Sequence, residues 1–155
     1  MMSILRIGTV AAACVVLGFG ESTSGSAQKP EEEVKAVALE INQAFVRNDY
    51  EGVMKHIAED ITWFSHTNTK RQDGIKIFGE SMKKTIATKK TLRWHEYDIV
   101  VQVFGNAAIV SFLYDHEAMM GDRKSSRLSR ATYGFAKRGG KWMMVHDHSS
   151  APLAA

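Results

Sequence analysis

The sequence predicts an α+β protein, with helices gathered early in the chain and packed on one face of a strongly bent antiparallel sheet. Three observations carry this. Apolar residues recur at helical spacing between Val34 and Ile86, broken by a single alternating stretch. From Leu92 onward they alternate instead. Gly105-Asn106, Gly121-Asp122 and Gly139-Gly140 fall between the alternating runs, where hairpin turns belong.

A chain of 155 residues holds one domain of ordinary size. Hydrophobic residues make up 45% and charged residues 24%, the balance of a globular protein rather than a disordered one. The formal net charge is +3, with Lys and Arg scattered among Asp and Glu. The densest basic stretch, Lys83-Lys84 with Lys89-Lys90, reads as a solvated helix face and loop, so no nucleic-acid partner is expected.

Residues 1–27 read as a cleaved signal peptide. Arg6 supplies the positive start, Ile7 to Phe19 is an apolar run too short to span a bilayer, and Gly25-Ser26-Ala27 resembles a signal-peptidase site. The expected address is periplasmic or secreted, without stable membrane insertion after cleavage. The only cysteine, Cys14, lies inside this run behind Ala11-Ala12-Ala13, which does not favour a lipoprotein signal. A mature chain without it has no disulfide, thiolate nucleophile or Cys-ligated metal.

Residues 28–155 then form the domain. Pro30 suits a helix start, with acids in the first turn. Val34, Val37, Ala38, Ile41, Ala44 and Phe45 give that helix one buried face, and it should end near Arg47-Asn48. Asp49 can cap a short second helix burying Val53, Met54 and Ile57. Asp60 to Thr67 alternates and is rich in Trp, Phe, Ile and Thr, hence a strand. Lys70 to Gly74 is a loop, and Ile75, Phe78, Met82 and Ile86 mark a third amphipathic helix. Tyr97–Phe104, Ala107–Met119, Leu128–Lys137 and Trp142–Ser149 are the antiparallel strands.

This order resembles the nuclear transport factor 2-like cone, in which a bent sheet wraps helices around a central cavity. The final hairpin carries the resemblance: Arg130-Ala131-Thr132-Tyr133, then Arg138-Gly139-Gly140-Lys141-Trp142-Met143-Met144-Val145-His146-Asp147-His148-Ser149-Ser150-Ala151-Pro152, looks like the closing motif of SnoaL-like domains. It is also similar to the association domain of calcium/calmodulin-dependent kinase, although Ser149 stands where that domain has an Arg. Phe45-Val46-Arg47-Asn48-Asp49-Tyr50-Glu51 resembles the family's helix–Asp–helix junction. The resemblance covers the mature chain and implies the fold. It leaves the activity open, because the fold hosts isomerases, cyclases, dehydratases, binding modules and assembly domains. The Asp, Tyr and protonated-Asp set of ketosteroid isomerase cannot be placed here residue by residue.

With Gly139-Gly140 as a two-residue turn, Lys137 pairs with Trp142, Phe135 with Met144, Tyr133 with His146 and Ala131 with His148. The face bearing His146 and His148 is then expected to line the cavity, with Arg130 and Asp147 free to pair on the other; a bulge would reverse part of this. The residues expected to contact a ligand are Phe64, His66, Tyr97, His116, Tyr133, His146 and His148. His148, His146 and Asp115 are the candidates for an acid or base. Structural roles stand beside these: satisfied core histidines, core or rim aromatics, and a surface ion pair for Asp115. A His-x-His pair supplies two metal nitrogens, but no third ligand is evident, so no metal and no cofactor are expected. Met119-Met120 and Met143-Met144 suit adaptable packing at a homodimer seam.

Two functions are expected from this, beside a third, purely structural reading as an assembly domain without catalysis. The first is an exported module binding a small, partly apolar molecule. The alternative is a cofactor-independent isomerase, dehydratase or cyclase using a His or Asp base.

Overall fold

The computed structural model describes residues 29–66 and 68–152, so the expected signal segment lies outside the described residues. Helix α1 spans Pro30–Val46, α2 Tyr50–Met54 and α3 Ile75–Thr88; the strands are β1 Ile57–Phe64, β2 Gln72–Asp73, β3 Lys89–Phe104, β4 Ala107–Met120, β5 Arg123–Arg138 and β6 Lys141–Ser150. The six strands form one sheet in the order β2-β1-β6-β5-β4-β3. The described residues include no helix long and apolar enough to cross a membrane.

Helix α1 starts at Pro30, whose missing N–H costs nothing at that position, with Glu31, Glu32 and Glu33 at the positive end of the helix dipole. It buries Val34, Ala38, Ile41 and Ala44. Asn48 takes a left-handed conformation (φ 58°) and closes the helix. The Asp49 carboxylate then accepts the Gly52 N–H at 2.9 Å and caps α2, as the Asp predicts.

The core lies between the helices and the concave face of the sheet. Alternation puts Ala108, Val110, Phe112 and Tyr114 of β4, and Ala131, Tyr133 and Phe135 of β5, on that face, against Val34, Ile41 and Phe78. Trp142 is buried as expected, and its indole N–H donates to Glu33 Oε2 at 3.1 Å. Lys137 reaches the same oxygen at 2.9 Å, so one carboxylate locks α1 to the last hairpin.

The sheet is mixed rather than wholly antiparallel. β1 runs parallel to β6, with Trp63 opposite Asp147 and Phe64 opposite His148. β3 to β6 is a meander of hairpins whose last strand returns in the direction of β1, and β1 completes the wall beside it. The loop before α3 also holds the two-residue strand β2, which pairs with β1.

Candidate functional site

The decisive local feature is a bulge in β6. Next to the Gly139-Gly140 turn the expected register holds, with Lys137 opposite Trp142 and Phe135 opposite Met144. Beyond that, Gly134 pairs with His146, Tyr133 with Asp147, Thr132 with His148 and Ala131 with Ser149. Val145 is the extra residue, and one extra residue exchanges the two faces of the strand.

The expected pairings of Tyr133 with His146 and of Ala131 with His148 are therefore corrected. His146 and His148 lie on the outer face. His146 Nδ1 is 2.8 Å from Thr62 Oγ1, and both imidazoles pack against the exposed Phe64 ring, at 6.2 and 5.6 Å between centroids. The expected Arg130–Asp147 pair is absent: Arg130 donates to Ser150 Oγ at 3.1 Å, while Asp147 faces the interior.

The other predicted residues divide between the faces. Tyr97 lies outside, stacked on His95 at 5.5 Å. Asp115 also lies outside, 3.4 Å from the Arg93 guanidinium, which is the ion-pair role weighed for it. His66, His116 and Tyr133 lie inside. The Tyr133 hydroxyl donates to Asn42 Oδ1 at 2.8 Å, and burial pushes its pKa well above the ordinary phenol value. His66 Nε2 is 3.0 Å from Ser129 Oγ.

Two inner-face residues went unrecognised in the sequence. Trp94 stacks on Tyr114 with 4.4 Å between centroids, and Tyr114 on His116 with 5.7 Å, forming one aromatic wall. Asp147 sits on the same side of the sheet, opposite Tyr133, and accepts a hydrogen bond from Ser149 Oγ at 3.1 Å. Burial raises its pKa to about 7, against the lowering effect of the Ser149 hydroxyl. Burial, then the charges of Lys89 and Arg127, lower the His116 pKa to about 4. Burial raises the Tyr114 pKa, against the lowering effect of the Ser129 and Ser149 hydroxyls. No local signal in the sequence marks Asp147 as inward; in the structure Gly134 lies opposite His146, and a Cβ there would come within 3.2 Å of His146 Cβ.

Two buried ring nitrogens on the aromatic wall, Trp94 Nε1 and His116 Nδ1, have no hydrogen-bond partner. Among the described residues no group of three or more His, Cys, Asp or Glu is placed to hold a metal ion. The wall can therefore offer apolar contact, unpaired polar ring atoms, and one carboxyl that titrates near neutrality.

The sheet wrapped on three helices, with polar groups directed into its concave side, defines a nuclear transport factor 2-like cone. Residues 34–154 match the SnoaL-like domain, and the chain belongs to that family. Solved structures agree on the fold. An NTF2-like protein of unknown function from Pseudomonas putida KT2440 is 24% identical, with 80% of this chain and 87% of that one covered and a TM-score of 0.70. A ketosteroid isomerase-like protein from Erwinia carotovora atroseptica is 14% identical, with 83% and 100% covered and a TM-score of 0.71. An NTF2-like family member from Streptomyces avermitilis, provisionally described as a dehydratase, is 20% identical, with 80% and 96% covered and a TM-score of 0.70. No curated protein matches the chain.

Proposed function

We propose that the protein is an exported cone that holds a small, partly apolar molecule against the inner face of its sheet. The observation that carries this is the pair of buried, unpartnered ring nitrogens, Trp94 Nε1 and His116 Nδ1, on one aromatic wall. A buried polar atom left unpaired costs about 1–3 kcal/mol, and a ligand offering a polar atom beside an apolar body would recover that cost. Export rests on the n-region, apolar run and small-residue site of residues 1–27.

Native mass spectrometry of protein recovered from its own host tests both parts in one spectrum. The expected chain starts near Gln28 and carries added mass that collisional activation releases as a small organic molecule. A chain starting at Met1 would remove the export reading. A bare chain, under conditions that keep noncovalent complexes intact, would remove the ligand reading.

A second reading, proton-transfer catalysis, is favoured by Asp147. A carboxyl with a pKa of about 7 on the inner face is present in both protonation states at neutral pH, as an acid–base group needs to be. The ketosteroid isomerase-like relative is consistent with such chemistry. In this chain the base would be Asp147, in place of the outward-facing His146, His148 and Asp115.

A further inference from the structure

A basic cluster borders the aromatic wall. It lies where β3 begins, β4 ends and β5 begins. Arg127 stands directly opposite His116 across the β4–β5 pair, and Trp94 stands opposite His116 across β3–β4. Directly opposed residues share a face, so the guanidinium projects along the inner side at the rim of the aromatic wall. Lys89 opens β3, with its ammonium 4.7 Å from the centre of the Phe45 ring. His66 reaches the same region through Ser129. These groups feel one another: the charges of Lys89 and Arg127 act on both imidazoles, and that of Arg127 acts on Lys89.

Among the described residues no acid pairs with the two cations of the cluster; Asp115 acts on His116 from the outer face, where Arg93 lies against it. Arg71, Arg93, Lys124 and Arg138 each have a carboxylate partner, whereas among the described residues neither Lys89 nor Arg127 forms an ion pair. Asp147 faces the same interior, but its hydrogen-bond partner is Ser149 and its register partner is Tyr133, four residues along β5 from Ser129. His116 is only 8% exposed, and its Nδ1 has no partner. Burial, with Arg127 nearby, brings the Lys89 pKa down to about 8. Lys89 is half-buried while Arg127 is exposed at the rim, and two like charges brought near one another are unfavourable until an anion joins them.

We propose that Arg127, Lys89 and His116 form an anion subsite that takes the carboxylate of a small molecule whose apolar part lies along the Trp94–Tyr114 wall. The inference rests on the small-molecule reading above and names the ligand class. A carboxylate fits better than a phosphate for two reasons. One planar guanidinium forks two carboxylate oxygens. The adjoining surface is aromatic, with no Gly-rich loop of backbone N–H groups to cradle a phosphate.

The test titrates benzoate, its neutral counterpart benzyl alcohol, and inorganic phosphate into the purified protein, with the histidine ring nitrogens followed by NMR. Benzoate should bind at least about tenfold more tightly than benzyl alcohol. It should also drive the His116 ring toward imidazolium and lose about tenfold in affinity in Arg127→Gln and in Lys89→Gln. Arg130→Gln, on the outer face, should leave binding unchanged. Equal affinity for benzoate and benzyl alcohol, or insensitivity to both rim substitutions, overturns the subsite and leaves the small-molecule reading standing. Binding of neither aromatic probe overturns the subsite and counts against that reading too. Phosphate binding more tightly than benzoate overturns the carboxylate assignment.

Discussion

Asp147 and His116 face the same interior and are displaced in opposite senses, so each leaves its own mark on stability. The Asp147 pKa rises from 3.8 to about 7 in the fold. The folded state therefore binds more protons than the unfolded one between those values. The stabilisation is complete below the unfolded pKa and is lost as pH rises through about 7. The His116 pKa falls from 6.5 to about 4, so its contribution is present above 6.5 and is lost as pH falls through about 4. Asp147→Asn removes the first effect alone. Melting curves should show the variant more stable than the parent by up to about 4 kcal/mol near pH 8, with the gap closing near pH 4. A gap independent of pH would mean that the carboxyl is not held protonated. The same variant bears on catalysis. A ligand recovered after incubation in D₂O should carry carbon-bound deuterium from the parent protein and none from Asp147→Asn; equal labelling would exclude Asp147 as the base.

At the scale of elements, the helices and hairpins were legible because each rests on local chemistry: Pro30 and the acids that follow it, the Asp49 cap, and the glycine turns. The inner face of β6 was not legible. Alternation assigns faces only while the count is unbroken, and Val145 adds one residue without a proline or a left-handed glycine to announce it. That residue turns Asp147 inward and His146 and His148 outward. The parallel neighbour of β1 was equally hidden, because pairing between strands distant in sequence leaves no mark in either strand's own pattern. The bulge makes its own prediction at Gly134, where a side chain would press on His146. Gly134→Val should destabilise the protein by about 1–3 kcal/mol through overpacking, and His146→Gly, which removes the Cβ that the new side chain meets, should restore part of the loss in the double variant. Additive effects in that cycle would place His146 away from residue 134, as the unbulged register does.

On the scale of the whole molecule, the helices cover only the concave side of the sheet. The outer side carries Tyr97, Val100, Ile109 and Leu128, all exposed, around a groove of about 370 Å³ lined by Asp98, Val100, Ser111, Arg130 and Thr132 among others. Scattered exposed apolar residues are ordinary, but several on one side of a sheet suit burial against protein. The groove also carries Asp98 and Arg130, charges of opposite sign, so a two-fold copy would set each against its complement. The proposed occupant is therefore a second copy of this chain, as the sequence-based expectation of a homodimer has it. Val100→Lys tests this with little cost to the fold, because Val100 is 48% exposed in the single chain and a surface change there should alter stability by about 0.5 kcal/mol or less. In a dimer the substitution puts two ammonium groups into a dry seam. Sedimentation velocity should find the parent protein dimeric and Val100→Lys monomeric, with the inner-face ligand retained by both. A parent protein that sediments as a monomer at tens of micromolar would leave the outer face to water, and a variant that stays dimeric would move the seam elsewhere on the sheet.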